Sequence, residues 1–154
     1  MTDVKTRAGA LSTREHPHLG VLLSRAQRLL YDRLLERFAA AGFADLRYAH
    51  GGVFSFLPES GIRLTALAER ARMTKQSMGE LVRDLESLGY VERRQDPADG
   101  RARIVAFTAK GARANEIGVR ALRNLEFEWG RQLASGRMAQ LRATLETLTD
   151  VGAT

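Results

Sequence analysis

Two short stretches of the 154-residue chain hold side chains whose types and spacing could do chemistry. The first opens with Thr74-Lys75-Gln76-Ser77 and continues through Gly79, Glu80 and Arg83. On a helix, residues three, four and seven after Gln76 share its face. A glutamine amide can contact the edge of adenine through two hydrogen bonds, and arginine can do the same with guanine. Thr74 is a good N-cap. Lys75 and the backbone N–H groups at the helix start would favour phosphate. The other side of that helix is apolar, with Met78, Leu81, Val82, Leu85 and Leu88.

The second stretch surrounds Asp96-Pro97-Ala98-Asp99-Gly100-Arg101, a turn by composition. Arg94, Asp99, Arg101 and Arg103 gather about it. Arginine on a projecting tip can enter a minor groove, where negative potential is concentrated. Asp99 would repel phosphate if unpaired, so it is expected to hold Arg101 or to stiffen the turn by bonding to its backbone. Taken singly, these stretches read as a solvated helix face and a mixed-charge surface hairpin. Their order along the chain favours the nucleic-acid reading.

Little other chemistry is available. Cysteine is absent, which removes disulfides, thiolate zinc sites, cysteine nucleophiles and thiol redox sensing. There is no Ser/His/Asp grouping, no glycine-rich phosphate loop after a strand and no His-x-x-x-His. Gly51-Gly52 is expected mid-helix, not in a phosphate cradle. His16-Pro17-His18 has no carboxylate or third histidine nearby, so no metal and no cofactor is expected. An enzyme is accordingly disfavoured. No apolar run approaches the roughly 18 residues of a membrane helix, and Met1 to Pro17 lacks the apolar core of a secretory signal. A cytoplasmic protein is the expectation. The chain carries 24 Lys+Arg against 18 Asp+Glu. Residues 61–113 hold eleven basic and seven acidic residues, a net of +4, whereas residues 114–154 are neutral. Residues 1–60 add +2, so most of the basic excess lies in one segment, which points to an anionic partner there.

The elements that must position these residues emerge from periodicity. Residues 1–17 carry no period and read as an arm. From His18 to Ala41, Leu19, Leu22, Leu23, Ala26, Leu29, Leu30, Leu34 and Phe38 recur at threes and fours, the mark of a long amphipathic helix. It stops at Gly42. A shorter helix fits Leu46 to Leu57, with Ala49, Val53, Phe56 and Leu57 inward. Thr65 can cap a helix over Ala66 to Ala71, and Thr74 one over Lys75 to Leu88, with only Arg72-Met73 between them. Ala68 is small where the second helix would cross. Strands are expected at Tyr90–Gln95 and Arg103–Phe107, a hairpin around the turn. Thr108 can cap a helix presenting Ala114, Ile117, Ala121, Leu122, Leu125 and Trp129. Ser135 can cap a last one presenting Met138, Leu141, Leu145 and Leu148.

Two helices across a tight turn, then a basic hairpin, are the parts of a winged helix-turn-helix. Here the chain resembles the multiple-antibiotic-resistance regulator (MarR) family. The stretch RLTALAERARMTKQSMGELVRDLESLGYVERRQDPADGRARIVAFTAKG, Arg63 to Gly111, carries the likeness, most specifically in LESLGYVERRQDPADGRA and the closing FTAKG. Gly100 stands where family members usually carry a first wing arginine, and Arg101 keeps the second. The resemblance covers about residues 18 to 150.

It implies a mainly α fold with a small β-hairpin wing. Residues 45–107 would form the DNA-binding domain, and helices in 18–44 and 108–150 would intertwine with those of a second copy. The resemblance also implies a homodimer binding a pseudo-palindromic double-stranded operator, usually as a repressor. The outer helices offer more apolar stripe than one small domain can cover, and Leu19, Leu22, Phe127, Trp129, Leu133, Met138, Leu141 and Leu145 are the candidate interface. Trp129 fits the core of one subunit equally well. Family members often take small aromatic or anionic effectors between the two regions, and Arg25, Tyr31, Arg47, Tyr48 and His50 are the candidates here. The alternative is a winged helix for protein or RNA contacts. It is disfavoured by the polar first turn after Thr74 and by the arginine wing tip. If Gln76 reads a base, Gln76→Ala relaxes preference at one base position by roughly 1–3 kcal/mol in a binding-site selection. Uniform weakening across all sequences would make Gln76 a residue that only positions the helix.

Overall fold

The computed structural model describes residues 17–151. The expected arm therefore lies, but for Pro17, outside the described residues, as does His16. Six helices, a 3₁₀ turn and one hairpin run in order: α1 Leu19–Ala40, the 3₁₀ turn Tyr48–His50, α2 Gly51–Phe56, α3 Leu64–Arg70, α4 Lys75–Ser87, β1 Val91–Asp96, β2 Asp99–Phe107, α5 Ala109–Gln132 and α6 Arg137–Val151. The expectation of a mainly helical chain with one small hairpin holds.

The core gathers where α2, α3, α4 and the base of the hairpin meet the second half of α1 and the first half of α5. Val53, Leu67, Met78, Val82, Leu85 and Ala114 are wholly buried in it. Each large side chain of this set contributes on the order of 1.5–3 kcal/mol by leaving water. Leu34 and Phe38 are the buried residues of α1. Leu19, Leu22, Leu23 and Leu29, of the same periodic stripe, are exposed. The stripe is continuous, but only its second half has a core to face.

The Thr74 cap forms as expected, its Oγ1 accepting from the Ser77 N–H at 3.1 Å. Thr108 does the same for Gly111 at the same distance. The expected Thr65 cap does not form, because α3 begins at Leu64 with Arg63 in the N-cap position and no side-chain bond there. Ser135 does not cap α6 either. It lies in a turn, and the Gly136 carbonyl before the helix accepts from Gln140 N–H.

The helix expected over Leu46–Leu57 divides into the 3₁₀ turn and α2, so Gly51-Gly52 begin a helix instead of interrupting one. The tighter turn rotates α2 relative to a continuous helix. Phe54 packs against the core while Ala49 and Phe56 face out. A Cβ on Gly51 would lie 2.4 Å from the Tyr31 ring, so the glycine is there to admit that ring.

Between α3 and α4, Arg72 adopts φ +51, the left-handed region that a tight turn of this kind demands. The Met73 N–H closes the turn on Ala68 O at 2.9 Å. The hairpin is antiparallel, with Val91 opposite Phe107 and Gln95 opposite Arg103. The strands run further than expected, to a tip of only Pro97-Ala98. The register breaks at Gln95/Asp96, so Asp96 faces Asp99 and Gly100–Ala102 bulge from β2. A bulge of this sort re-aims side chains, and here it takes Arg101 out of the regular ladder. An isolated bridge from Ile62 to Val105 ties the segment before α3 to the hairpin.

The start of α5 lies against the end of the turn before β1. A Cβ on Gly111 would lie 1.8 Å from the Tyr90 carbonyl oxygen, and backbone cannot give way as a side chain would. Gly111→Ala is expected to lower folding stability by about 3 kcal/mol, the upper end of ordinary overpacking, read by denaturant melts. A loss well under 1 kcal/mol would show that α5 is free to slide.

Candidate nucleic-acid interface

The first turn of α4 is open to solvent. Thr74, Lys75, Gln76, Ser77, Glu80 and Arg83 are all exposed, as the helix period requires. Gly79 is not. It is buried with Met78, and a Cβ there would sit 3.7 Å from Leu64, so it belongs to the crossing with α3 and not to the outward face. The helical period places Gly79 beside Gln76, but crossing helices occupy more than a narrow stripe.

On the wing, Asp99 does not pair with the Arg101 side chain. Its Oδ2 accepts from the Arg63 guanidinium at 3.1 Å, and its Oδ1 accepts from the Arg101 backbone N–H at 3.1 Å. The expected stiffening of the turn is present, but the ion-pair partner comes from the N-cap of α3. Arg63 also donates to Asp96 Oδ2 at 3.0 Å. Asp96 in turn accepts from the Ala98 N–H at 2.9 Å. That N–H, then Arg63, hold its carboxyl below the ordinary carboxylate range. Sequence reasoning does not find Arg63 as part of the site, since its partners lie 33 and 36 residues away. Arg94 is held by the Ser60 carbonyl at 3.0 Å, at the side of the hairpin.

The division of cations between paired and unpaired is clear. Arg47, Arg63, Arg93 and Lys110 each meet a carboxylate. Among the described residues, Lys75, Arg83, Arg101 and Arg103 make no ion pair and remain exposed, a state they share with arginines elsewhere such as Arg25, Arg28, Arg120 and Arg123, so their placement on α4 and the wing is what distinguishes them. Unpaired cations on one exposed helix face, Lys75 and Arg83, and on the wing, Arg101 and Arg103, are suited to phosphate and groove edges. Arg63 pairs with both wing carboxylates and offsets part of the negative charge that would oppose such contacts.

The proposed effector residues do not all come together. Tyr31, Arg47 and His50 line a cavity of about 390 Å³ between α1, α2 and α5, closed mostly by Leu30, Leu34, Phe54 and Leu122. Tyr48 lies outside the lining and packs on Tyr31, ring centroids 4.7 Å apart. Arg25 is elsewhere, beside His18 and Arg28 in a shallow groove near the start of α1. One helix turn separates it from the cavity wall in sequence, but the first half of α1 does not lie on the core.

His50 is 1% exposed and fully bonded. Its Nδ1 accepts from the Arg47 N–H at 3.1 Å, and its Nε2 lies 2.6 Å from Asp84 Oδ2. The same carboxylate oxygen accepts from the Arg47 guanidinium. The His50 bond, then the Arg47 bond, hold the Asp84 carboxyl below its usual range. Among the described residues, no group of three or more His, Cys, Asp or Glu is placed to hold a metal, and no helix is long and apolar enough to cross a membrane.

A helix-turn-helix followed by a two-stranded wing, with unpaired cations on both, defines the winged helix-turn-helix class of DNA-binding folds. Residues 44–102 match the model of the MarR family, and the winged helix of this chain is similar to that family over this stretch. It is 45% identical over 51 residues to the transcriptional regulator HosA of Escherichia coli O111:H-. That match covers 33% of this chain, and the chain spans 38% of the length of the HosA relative.

The likeness of fold extends much further. CouR of Rhodococcus jostii RHA1, solved with p-coumaroyl-CoA, superposes at a TM-score of 0.66 with 23% identity, covering 92% of this chain and 95% of CouR. CouR bound to a 23-mer DNA duplex gives 0.68 at 23% identity, over 86% of this chain and 92% of the other. A Mycobacterium tuberculosis MarR family protein in complex with salicylic acid gives 0.63 at 24% identity, over 88% and 99%. The fold expected from the sequence is therefore present over most of the chain.

If Arg63 secures the wing tip, Arg63→Met speeds amide hydrogen exchange at Ala98 and Arg101, whose N–H groups rest on the carboxylates it holds. Exchange at Val105, bridged to Ile62, stays slow. Unchanged exchange at the tip would leave the Pro97-Ala98 turn as sole support.

Proposed function

We propose that this chain is a transcription regulator of the cytoplasm that binds double-stranded DNA in a sequence-specific manner as a homodimer. It acts as a repressor at a pseudo-palindromic operator. The observation that carries this reading is the placement of the exposed cations Lys75, Arg83, Arg101 and Arg103 on α4 and the wing of a winged helix that matches the MarR family model. Thr74, Lys75, Gln76 and Ser77 would meet the major groove at the start of α4, with Glu80 and Arg83 further along the same face. Arg101 and Arg103 would meet the groove beside it. Asp99 and Arg94 support the wing, and Gly79 drops out of the contact set.

The homodimer is supported by apolar surface that one copy leaves uncovered. Leu19, Leu22, Phe127, Leu133, Leu141 and Leu145 are exposed, Phe127 at 68%. Trp129 and Met138 are half-buried. Exposed apolar side chains gathered on α1, α5 and α6 mark an interface. The cavity bounded by Tyr31, Arg47 and His50 would take a small aromatic molecule with an anionic group, its apolar walls serving the ring and Arg47 the charge. The p-coumaroyl-CoA and salicylic acid in the similar structures accord with that chemistry.

Selection of bound sequences from random duplex DNA is the direct test. A palindrome with half-sites about 34 Å apart, one helical turn, is expected. Failure to enrich any sequence would overturn the reading. Arg101→Ala should weaken binding broadly and reduce the slope of log affinity against log salt by about one. An unchanged slope would remove the wing from the contacts. Sedimentation at micromolar concentration should show twice the 17.1 kDa chain mass, and a clean monomer would exclude the dimer.

A further inference from the structure

The recognition helix is fastened to the cavity wall at one carboxylate. Asp84 lies on α4, one residue beyond the exposed Arg83. Its Oδ2 receives both the His50 ring and the Arg47 guanidinium. The bonding pattern of His50 is fully determined. The Arg47 N–H occupies Nδ1, so the ring proton sits on Nε2 and points at Asp84. Arg47 and His50 both also line the cavity. Two side chains thus touch the recognition helix on one side and the cavity on the other. They are unequal in freedom, since the His50 side chain is 1% exposed and that of Arg47 65%.

We infer that Asp84 is a positioning residue that holds α4 through His50 and Arg47, and that an anionic group entering the cavity competes with Asp84 for Arg47. The release half of this inference rests on the effector reading of the cavity given above. The competition arises from the guanidinium. It is a planar fork that can grip a carboxylate through two parallel bonds but meets Asp84 through one nitrogen only, and on a long exposed stem it can turn from one carboxylate to another. His50 cannot turn with it, because its ring is packed and its second nitrogen is taken. An anion that draws Arg47 into the cavity leaves Asp84 with His50 alone and loosens α4, the element that carries Gln76 and Arg83. Coupling between two ligands is reciprocal, so DNA that holds α4 in place must weaken the anion to the same degree.

A merely structural fastening would stabilise α4 without coupling the two sites. The test therefore uses the whole protein with salicylate, an aromatic carboxylate, as probe and the duplex recovered by selection as DNA. Saturating salicylate should weaken DNA binding of the native protein about fivefold or more, the low end of ordinary coupling. Asp84→Ala should bind salicylate by calorimetry at least as tightly as the native protein, yet show the same DNA affinity with and without it. Asp84→Asn, which keeps an acceptor for His50, should retain part of the response. A native-sized response in Asp84→Ala overturns the inference and leaves the effector reading intact.

If salicylate binds neither protein, the effector reading fails and the release half falls with it. The positioning half is then decided without ligand. Faster amide exchange in α4 of Asp84→Ala, with weaker DNA binding, upholds it. Unchanged exchange and unchanged DNA binding overturn it.

Discussion

The structure depends on one buried tyrosine. Tyr90 comes directly after Gly89, whose φ of +78 ends α4 and turns the chain into the wing. Its ring is fully buried, between Phe43 and Phe54. Its carbonyl accepts the Thr108 N–H at 3.0 Å, directly before α5. Its hydroxyl donates to Asp45, which also meets Lys110 at 3.2 Å. Burial, then the neighbouring carboxylate, push the Tyr90 hydroxyl above its ordinary pKa. Burial alone would raise Asp45, but the hydroxyl and the Lys110 ammonium outweigh it and hold it below its usual range. A polar group taken out of water must be bonded or it costs stability. Here every bond made by the tyrosine ties a different segment to the same point. Helix α4, wing and long α5 therefore share one joint, and the pose of α4 is set relative to the outer helices.

Charge is arranged about that joint in two ways. Cations inside the framework are matched: Arg63 with Asp96 and Asp99, Arg47 with Asp84, Lys110 with Asp45. Exposed pairs of this kind add little to stability, commonly under about 1 kcal/mol. Their value is geometric, because each links segments distant in sequence. The cations of the contact surface are left unmatched. Net charge in the sequence locates the basic segment; the pairing pattern shows which of its cations hold the protein together.

Much of the local structure was legible. Thr74 and Thr108 cap helices because a hydroxyl three residues before an N–H needs only neighbouring backbone to act. Gly89 terminates α4 for a similarly local reason. The alternation of Met78, Val82 and Leu85 marks a buried face whatever lies opposite. The outward reach of that face was less legible, and Gly79 went to the wrong side because the approach of Leu64 is not written in α4. The break after the 3₁₀ turn, which put Phe54 inward and Ala49 outward, arises from Tyr31 needing the space beside Gly51. The bulge that displaces Arg101 depends on a register that two strands decide jointly.

The sequence by itself determined the kinds and order of the elements, the likeness of the winged segment to the MarR family, the basic excess around it and the first-turn residues of α4. These rest on contacts between near neighbours, or on periodicity, and both can be read along a chain. The tertiary structure decided which carboxylates hold the wing, that Asp84 meets His50 and Arg47, that Arg25 lies apart from the cavity, and that Gly79 is buried. The residues that meet in these contacts, Arg63 with Asp96 and Asp99 and Asp84 with His50 and Arg47, lie 33 to 37 residues apart in the chain. Only the folding of α1, α2 and the hairpin onto α4 brings them within bonding distance, because the energy that chooses them is the burial of the whole core and not the attraction of the pair.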